Sequence, residues 1–333
     1  MKAELLPGRA VPPQIRTAWE AILEEIPNRN PFLSPLWAEV WLEHFGRSLE
    51  PRLLLFRDEE GAPRGIGHLL ESSANGKKGL CLLGSGDVWD YRDFVIRPGW
   101  EEEVFRGLAS FMENDSFDFI ELNGIAQSSP TAEVFPKTME TMGFRVSREV
   151  EESVLNLPLP STWDGFLESL NGKDRHELRR KTRRIEKEGS CEWTNDAGPS
   201  SVDEKMGLFL ELHRKSRRDK SEFMTPEMEA YFRDLARGLL KRGWLDLSFL
   251  RFQGKEIASF FSFDFADVKF VYNSGYDPGF SWYSPGIVLS AYCIRGAIEK
   301  GMKGFNFLRG REDYKYHLGA REEANFRLRA ERV

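Results

Sequence analysis

The 333-residue sequence predicts an α/β protein with a mixed α+β sheet, built as two tandem copies of one unit. Three observations predict it. Phe270-Val271-Tyr272 reads as a buried strand, Ile287 to Ile298 as an apolar helix and Phe305-Asn306-Phe307-Leu308 as a second strand. That order forms a parallel crossover. An earlier helix, Glu101 to Glu113, leads into Phe117-Asp118-Phe119-Ile120 with nearly the same wording. A strand, glycine turn and strand also occur twice, at Leu53 to Leu70 and Leu247 to Phe263, and both offsets agree. The turn residues Arg57 and Arg251 are 194 positions apart, and the strand starts Phe117 and Phe305 are 188 apart. A long repeated period reports repeated architecture.

Bulk properties narrow the class. The length accommodates two ordinary domains, each able to bury a core. A net charge of −6 speaks against a surface given over to nucleic acid, though a local basic patch is compatible with it. Met1-Lys2-Ala3-Glu4-Leu5-Leu6-Pro7 puts an acid and a proline where a secretory leader needs an apolar run. No apolar stretch reaches the length of a transmembrane segment. Cys81, Cys191 and Cys293 are odd in number and far apart, which reads as reduced thiols and a cytoplasmic location.

In the first half, Leu53 to Leu70 forms the hairpin, and Gly65-Ile66-Gly67 lies within it rather than in a dinucleotide loop. Gly84-Ser85-Gly86 lacks the spacing of a nucleophile elbow. Asp90-Tyr91-Arg92-Asp93 follows that turn and either faces a cleft or solvates a loop. The boundary between copies falls near Arg148 to Pro160. There Ser153 to Leu157 alternates like a strand and Pro158 and Pro160 end it. The first unit therefore spans residues 1–150 and the second 151–333.

The second unit opens with capping oxygens at Ser161-Thr162-Trp163-Asp164 and a helix running to Gly189. From Lys173 to Lys187 it carries eight Lys or Arg against three acids, a charge of +5 that leaves −11 for the remainder. Leu178 and Ile185 form its one apolar stripe. A charge run is usually a solvated face, yet Arg175, Arg179 and Arg183 repel one another at i,i+4 spacing. A polyanionic partner would offset that repulsion. A second basic cluster, Arg214 to Lys220, follows the helix Val202 to Leu212 and extends the same field if the fold joins the two.

Several chemistries are missing. The five histidines show no HxxxH or Cys/His pairing for a metal, so none is expected. No glycine-rich stretch ends as a phosphate loop does. What remains is polar residues at the carboxyl ends of the crossover strands, where open sheets bind ligands. Ser284, Pro285 and Gly286 begin the helix as a good N-cap, a first-turn proline and a residue that lets a ligand approach the backbone amides. The same triplet serves an ordinary helix start. Tyr276 and Asp277 follow one strand, and Glu312, Asp313, Tyr314 and Lys315 the other. They can transfer protons, or Asp277-Pro278-Gly279 can simply be a turn.

The order of these pieces resembles the GNAT-fold N-acyltransferases, in particular the CelD-like branch tied to bacterial cellulose and exopolysaccharide synthesis, related to Fem-type peptidoglycan-bridge transferases. The matching residues are Asn171 to Glu188, Gly254 to Ala258, Tyr272 to Pro278, Ser284 to Gly286 and Phe305 to Lys315. In the first half Asn30 to Trp37 and Asp90 to Asp93 match as well, so the resemblance covers nearly the whole chain.

The resemblance implies two tandem GNAT-like units, the first degenerate and the second transferring an acyl group from acyl-CoA to an amino group of a small-molecule or cell-envelope precursor. An acyl thioester would lie between splayed parallel strands while the amine attacks directly, a mechanism in which positioning supplies much of the acceleration. It implies proton transfer by Tyr276, Asp277 and Asp313, with Tyr314 and Lys315 positioning substrate. Ser284, Pro285 and Gly286 would cradle phosphates, and Arg175, Arg179, Arg180 and Arg183 would supply positive potential. One departure stands out: Trp282-Tyr283-Ser284-Pro285 replaces the usual Arg/Gln-x-x-Gly-x-Gly/Ala loop. It keeps aminoacyl-tRNA open as donor, although the helix from Phe166 to Glu188 is too short for the helical arm of many Fem-type enzymes. A non-catalytic scaffold is the third reading.

Overall fold

Apolar alternation in the first half produces, in the computed structural model, β1 (Lys2–Leu6), β2 (Pro51–Arg57), β3 (Pro63–Ala74), β4 (Lys77–Leu82), β5 (Val95–Ile96), β6 (Phe119–Ala126) and β7 (Phe144–Pro158). Between them come α1 (Pro13–Glu25), α2 (Pro35–Phe45), α3 (Glu101–Asn114) and α4 (Thr131–Thr141). The structure describes residues 1–6 and 10–333, so Pro7 lies outside the described residues. The second half gives α5 (Trp163–Ser169), α6 (Gly172–Glu188), β8 (Cys191–Thr194), α7 (Val202–Ser216), α8 (Arg218–Phe223), α9 (Pro226–Lys241), β9 (Leu245–Phe252), β10 (Lys255–Phe265) and β11 (Val268–Tyr276). Then follow a short 3-10 turn (Pro278–Tyr283), α10 (Pro285–Glu299), β12 (Gly304–Arg309), α11 (Asp313–His317) and β13 (Arg321–Arg332).

These elements make two units. One is Met1–Ser153 with Glu323–Val333, and the other is Val154–Glu322. The first holds strands in the order β1-β2-β3-β4-β6-β13-β7, with β5 on β3. The second holds β7-β12-β11-β10-β9-β8. The split near residue 150 therefore moves to Ser153/Val154, and the expected end of the second unit at 333 needs correction. Asn325 to Glu331 pair antiparallel with Ala126 to Phe119, which returns the last strand to the first unit.

The two units repeat one plan. An antiparallel hairpin (β2-β3, β9-β10) continues into a third strand (β4, β11), a crossover helix (α3, α10) and a parallel partner (β6, β12). In both, the parallel pairing is only three residues long: Gly79 to Cys81 on Phe119 to Glu121, and Val268 to Phe270 on Gly304 to Asn306.

The long helix expected from the Ser161 region to Gly189 is two helices. Leu170 is extended, and the Asn171 side chain accepts the Asp174 N–H at 2.9 Å, capping a new helix. The apolar positions run through the break because both helices bury them in one core. Phe166, Leu167, Leu178 and Ile185 join Val288, Leu289 and Ile294 of α10 there. α7 packs on β11 from the helix backbone itself. A Cβ on Gly275 would sit 2.3 Å from the His213 nitrogen, so only glycine permits the approach.

Candidate active site

The second unit opens where its parallel strands part. After Phe270/Asn306 the pairing between β11 and β12 stops. On β11, Phe261 faces Asn273 and Ser262 faces Val271, which leaves Tyr272 as an extra, bulged residue. On β12 the register with β7 slips between Asn306 and Arg309, and Leu308 is left-handed at φ 55°. A bulge bends the strand that carries it, and a left-handed leucine is strained backbone that its surroundings must hold. The Asn306 carboxamide helps, accepting the Leu308 N–H at 2.7 Å. Two irregularities on facing strands thus end their pairing and part their carboxyl ends.

Lys220, at the end of the second basic cluster, reaches this opening. Its ammonium donates to the Ser274 carbonyl at 2.5 Å and to the Ser274 hydroxyl at 3.2 Å. Burial, reinforced by the Arg217 cation, pulls Lys220 down to about 8, while Glu312 and Asp219 act in the opposite sense. An amine with that pKa is neutral in roughly a tenth of molecules at pH 7. Sequence inspection did not single Lys220 out, because in the run Arg214 to Lys220 it looks like its neighbours. Those neighbours are spent on structure: Arg214 pairs with Glu229, Lys215 with Asp277, Arg217 with Asp219 and Arg218 with Glu222. Of the cluster, Lys215 and Lys220 bond to residues at the end of β11.

Glu312 and Tyr314 approach from β12. Glu312 is ionised: burial would raise it, but the Lys315 ammonium at 2.9 Å wins and lowers it. Burial first, then Glu312, push the Tyr314 phenol up, so it keeps its proton. Tyr276 lies within electrostatic reach of Arg217, as does Glu312.

Other expected site residues have different employment. Asp277 cannot take protons: Lys255 at 2.8 Å, the Gly279 amide at 3.0 Å and Lys215 at 3.1 Å hold it down to about 2 against the effect of burial. A carboxylate so stabilised is a weak base. Lys315 is buried, its ammonium donating to the carbonyls of Phe307, Arg309 and Gly310 at 3.2, 2.8 and 3.0 Å. It fastens the end of β12 and has little left for substrate. Asp313 is exposed at the start of α11.

Ser284 occupies the N-cap position of α10 but its side chain does not cap it. It is left-handed (φ 53°, ψ 53°), its side chain makes no cap bond, and its N–H goes to the Ser281 carbonyl at 2.9 Å. The preceding 3-10 turn, ended by Ser284, sets that conformation. Pro285 does occupy the first helical turn. A Cβ on Gly286 would meet nothing within 4 Å, so open space lies over the start of α10.

Arg175, Arg179, Arg180 and Arg183 lie on α6. With His176, Arg184 and Lys187 they border an open space to which α6 alone contributes. The inward face of α6, Leu178 and Ile185, is the one that meets α10.

The first unit has its own cavity, of about 180 Å³, lined by Asn30, Tyr91, Arg92, Asp93, Glu101 and Ser129 among others. Burial pushes Asp93 up to about 6 despite hydrogen bonds from Ser129, Thr131 and the Phe94 amide. The Asp90–Asp93 segment therefore faces a cavity in part. Among the described residues no cluster of His, Cys, Asp or Glu could hold a metal, and no helix is long and apolar enough to cross a membrane.

Comparison with known proteins matches residues 172–316 to the family described as acetyltransferase (GNAT) domain. That span contains the parted ends of β11 and β12, Lys220, α10 and all of α11 except His317. Among solved structures, FemX superposes with a TM-score of 0.68 at 12% identity, over 98% of this chain and 97% of that one. A tandem GNAT protein from the clavulanic acid biosynthesis pathway gives 0.51 at 12% identity, covering 98% of both chains. L-PGS from Bacillus licheniformis gives 0.56 at 14%, over 96% and 92%. No curated protein matches in sequence. The fold is a mixed α/β one with two tandem GNAT-like units, and residues 172–316 of the second are similar to the GNAT acetyltransferase domain.

Proposed function

We propose that the protein is an N-acyltransferase moving an acyl group from acyl-CoA to an amino group of a sugar or cell-envelope precursor by direct transfer. The observation that carries this is the parting of β11 and β12 after Phe270/Asn306, which lies inside the span matched to the acetyltransferase domain. A thioester laid between the splayed strands would present its carbonyl beside Ser274, Lys220 and Glu312. The neutral fraction of Lys220 accepts the proton of the incoming ammonium. The new C–N bond forms as the C–S bond breaks, the Tyr314 phenol gives its proton to the departing thiolate, and the second proton lost by the acylated nitrogen restores the phenol. Glu312 orients the amine electrostatically. The phosphates would rest over Gly286, at the amide-rich start of α10. The CelD-like resemblance supports an exopolysaccharide precursor as acceptor and a cytoplasmic site of action.

Calorimetric titration with a panel of acyl-CoAs tests the donor. Binding in the micromolar range is expected. Gly286→Val, which has room in the free protein, should weaken it at least tenfold with an unchanged melting temperature. Absence of heat at millimolar acyl-CoA would remove the donor claim.

A second reading, transfer from aminoacyl-tRNA as in Fem-type enzymes, rests on one observation. Left-handed Ser284, between Tyr283 and Pro285, occupies the place of the glycine-rich pyrophosphate loop. If acyl-CoA fails, a charged tRNA whose affinity falls steeply with salt is the outcome this reading requires.

A further inference from the structure

The space beside the arginines of α6 is lined by that helix alone, so their charge needs an explanation of its own. Among the described residues, Arg175, Arg179 and Arg183 make no ion pair, while Arg180 is tied to Glu177 at 2.6 Å. At i,i+4 spacing the three repel one another along one outward stripe, a standing cost to the helix. At the carboxyl end of this stripe lies Trp282, 70% exposed and the one large aromatic residue so exposed among those described. Arg184 stacks on its ring at 4.5 Å and donates to its carbonyl at 2.7 Å. An indole is therefore held out in solvent by a cation at the end of a cationic row.

The shape of this feature selects its partner. A 17-residue helix is about 25 Å long, and the space beside its arginines is lined by α6 alone, so it is a ridge rather than a channel. A polynucleotide gains affinity by wrapping and needs basic flanks, whereas the chain outside Lys173–Lys187 carries −11. A flat anionic surface needs only one ridge. Tryptophan belongs at the headgroup level of such a surface, and clustered Lys and Arg are attracted to its potential.

We propose that the outward face of α6, with Trp282 at its carboxyl end, docks the protein peripherally on an anionic lipid surface. It is independent of the acyl-transfer reading, because it rests on α6 and Trp282 and on none of the residues given a part in the transfer. Each cation near an anionic membrane contributes roughly a fivefold gain in partitioning. Reversing two of them removes two attractions and adds two repulsions.

The test is co-sedimentation of the full chain, without any acyl donor, on vesicles of phosphatidylcholine containing 30% phosphatidylglycerol. Binding at 50 mM salt is expected, with loss at 0.5 M salt as screening shortens the reach of the charges. None is expected on pure phosphatidylcholine. Arg179→Glu with Arg183→Glu should weaken binding more than about 100-fold. Trp282→Ala should weaken it about fivefold and abolish the blue shift of tryptophan emission on binding. Arg179→Gln with Arg183→Gln serves if the reversed variant does not fold. The proposal is overturned if anionic vesicles do not bind at low salt, or if neither charge variant weakens binding. It is equally overturned if bulk tRNA binds through these arginines while vesicles do not.

Discussion

Lys220 occupies a position that disfavours its own charge, and that is the strongest residue-level sign of chemistry in the second unit. Its folded pKa, about 8, lies below the ordinary lysine value of about 10.4. Between those pH values the unfolded chain binds more protons at this residue than the folded one. Its contribution to stability therefore rises with pH across that window and is unfavourable below about 8. A lysine kept for packing alone would not be buried at such a cost. We expect Lys220→Met to leave the melting temperature unchanged or raise it at pH 7, while turnover falls by about 10²- to 10⁴-fold. In the parent protein kcat/KM should climb as pH rises through 8, and the variant should lose that limb. A variant with reduced stability and an unaltered pH profile would make Lys220 structural. Little of this was legible beforehand: RKSRRDK looks uniform in sequence, and only the fold separates the paired cations from the one at the parted strands. Asp277 shows the reverse error, since a carboxylate after a strand reads as a base until Lys215 and Lys255 are seen to close on it.

The crossover of β11, α10 and β12 was readable at the scale of elements because apolar runs of strand and helix length alternate there, and the same grammar recurs around α3 and β6. What sequence did not display were the irregularities that part the strands. The Tyr272 bulge and the left-handed Leu308 fall on residues that favour ordinary strands. Their conformations are imposed by neighbouring strands rather than by local preference. The Ser284 side chain makes no cap bond for the same reason. The break at Leu170–Asn171 did leave a local signal, an Asn-Gly step, but the apolar periodicity runs across it. Gly275 is where β11 depends most directly on a neighbour, since the α7 backbone would meet any side chain there. Gly275→Ala should shift α7 outward and cost about 1–3 kcal/mol, seen as a lower denaturation midpoint at unchanged slope. Because Lys220 follows α7 through α8, the same substitution should lower kcat beyond the loss of folded protein. An unshifted midpoint would show that the helix yields without strain.

At the scale of the whole chain, duplication was legible from the matched order and spacing of hairpins and crossovers. The destination of the last strand was not, because strand pairing is a long-range choice that alternation cannot specify. β13 follows α11 directly in sequence yet puts Leu328 and Ala330, both fully buried, and Phe326 into the core of the first unit. It pairs with β6 from Phe119 to Ala126. The first unit therefore cannot complete its sheet until the second has been synthesised. Deleting Glu323–Val333 would expose one edge of β6 and remove three core side chains, each worth about 1–3 kcal/mol when fully buried, the alanine less. Domains of this size are stable by only about 5–15 kcal/mol. Hydrogen exchange on the truncated chain should show lost protection for amides of β4 and β6, although the removed residues lie some two hundred positions away. Amides of β9, β10 and β11, which share no pairing with β13, should keep theirs. Uniform loss across both sets would mean that the two halves unfold as one cooperative body, and unchanged protection in β6 would mean that β13 is dispensable to the sheet it closes.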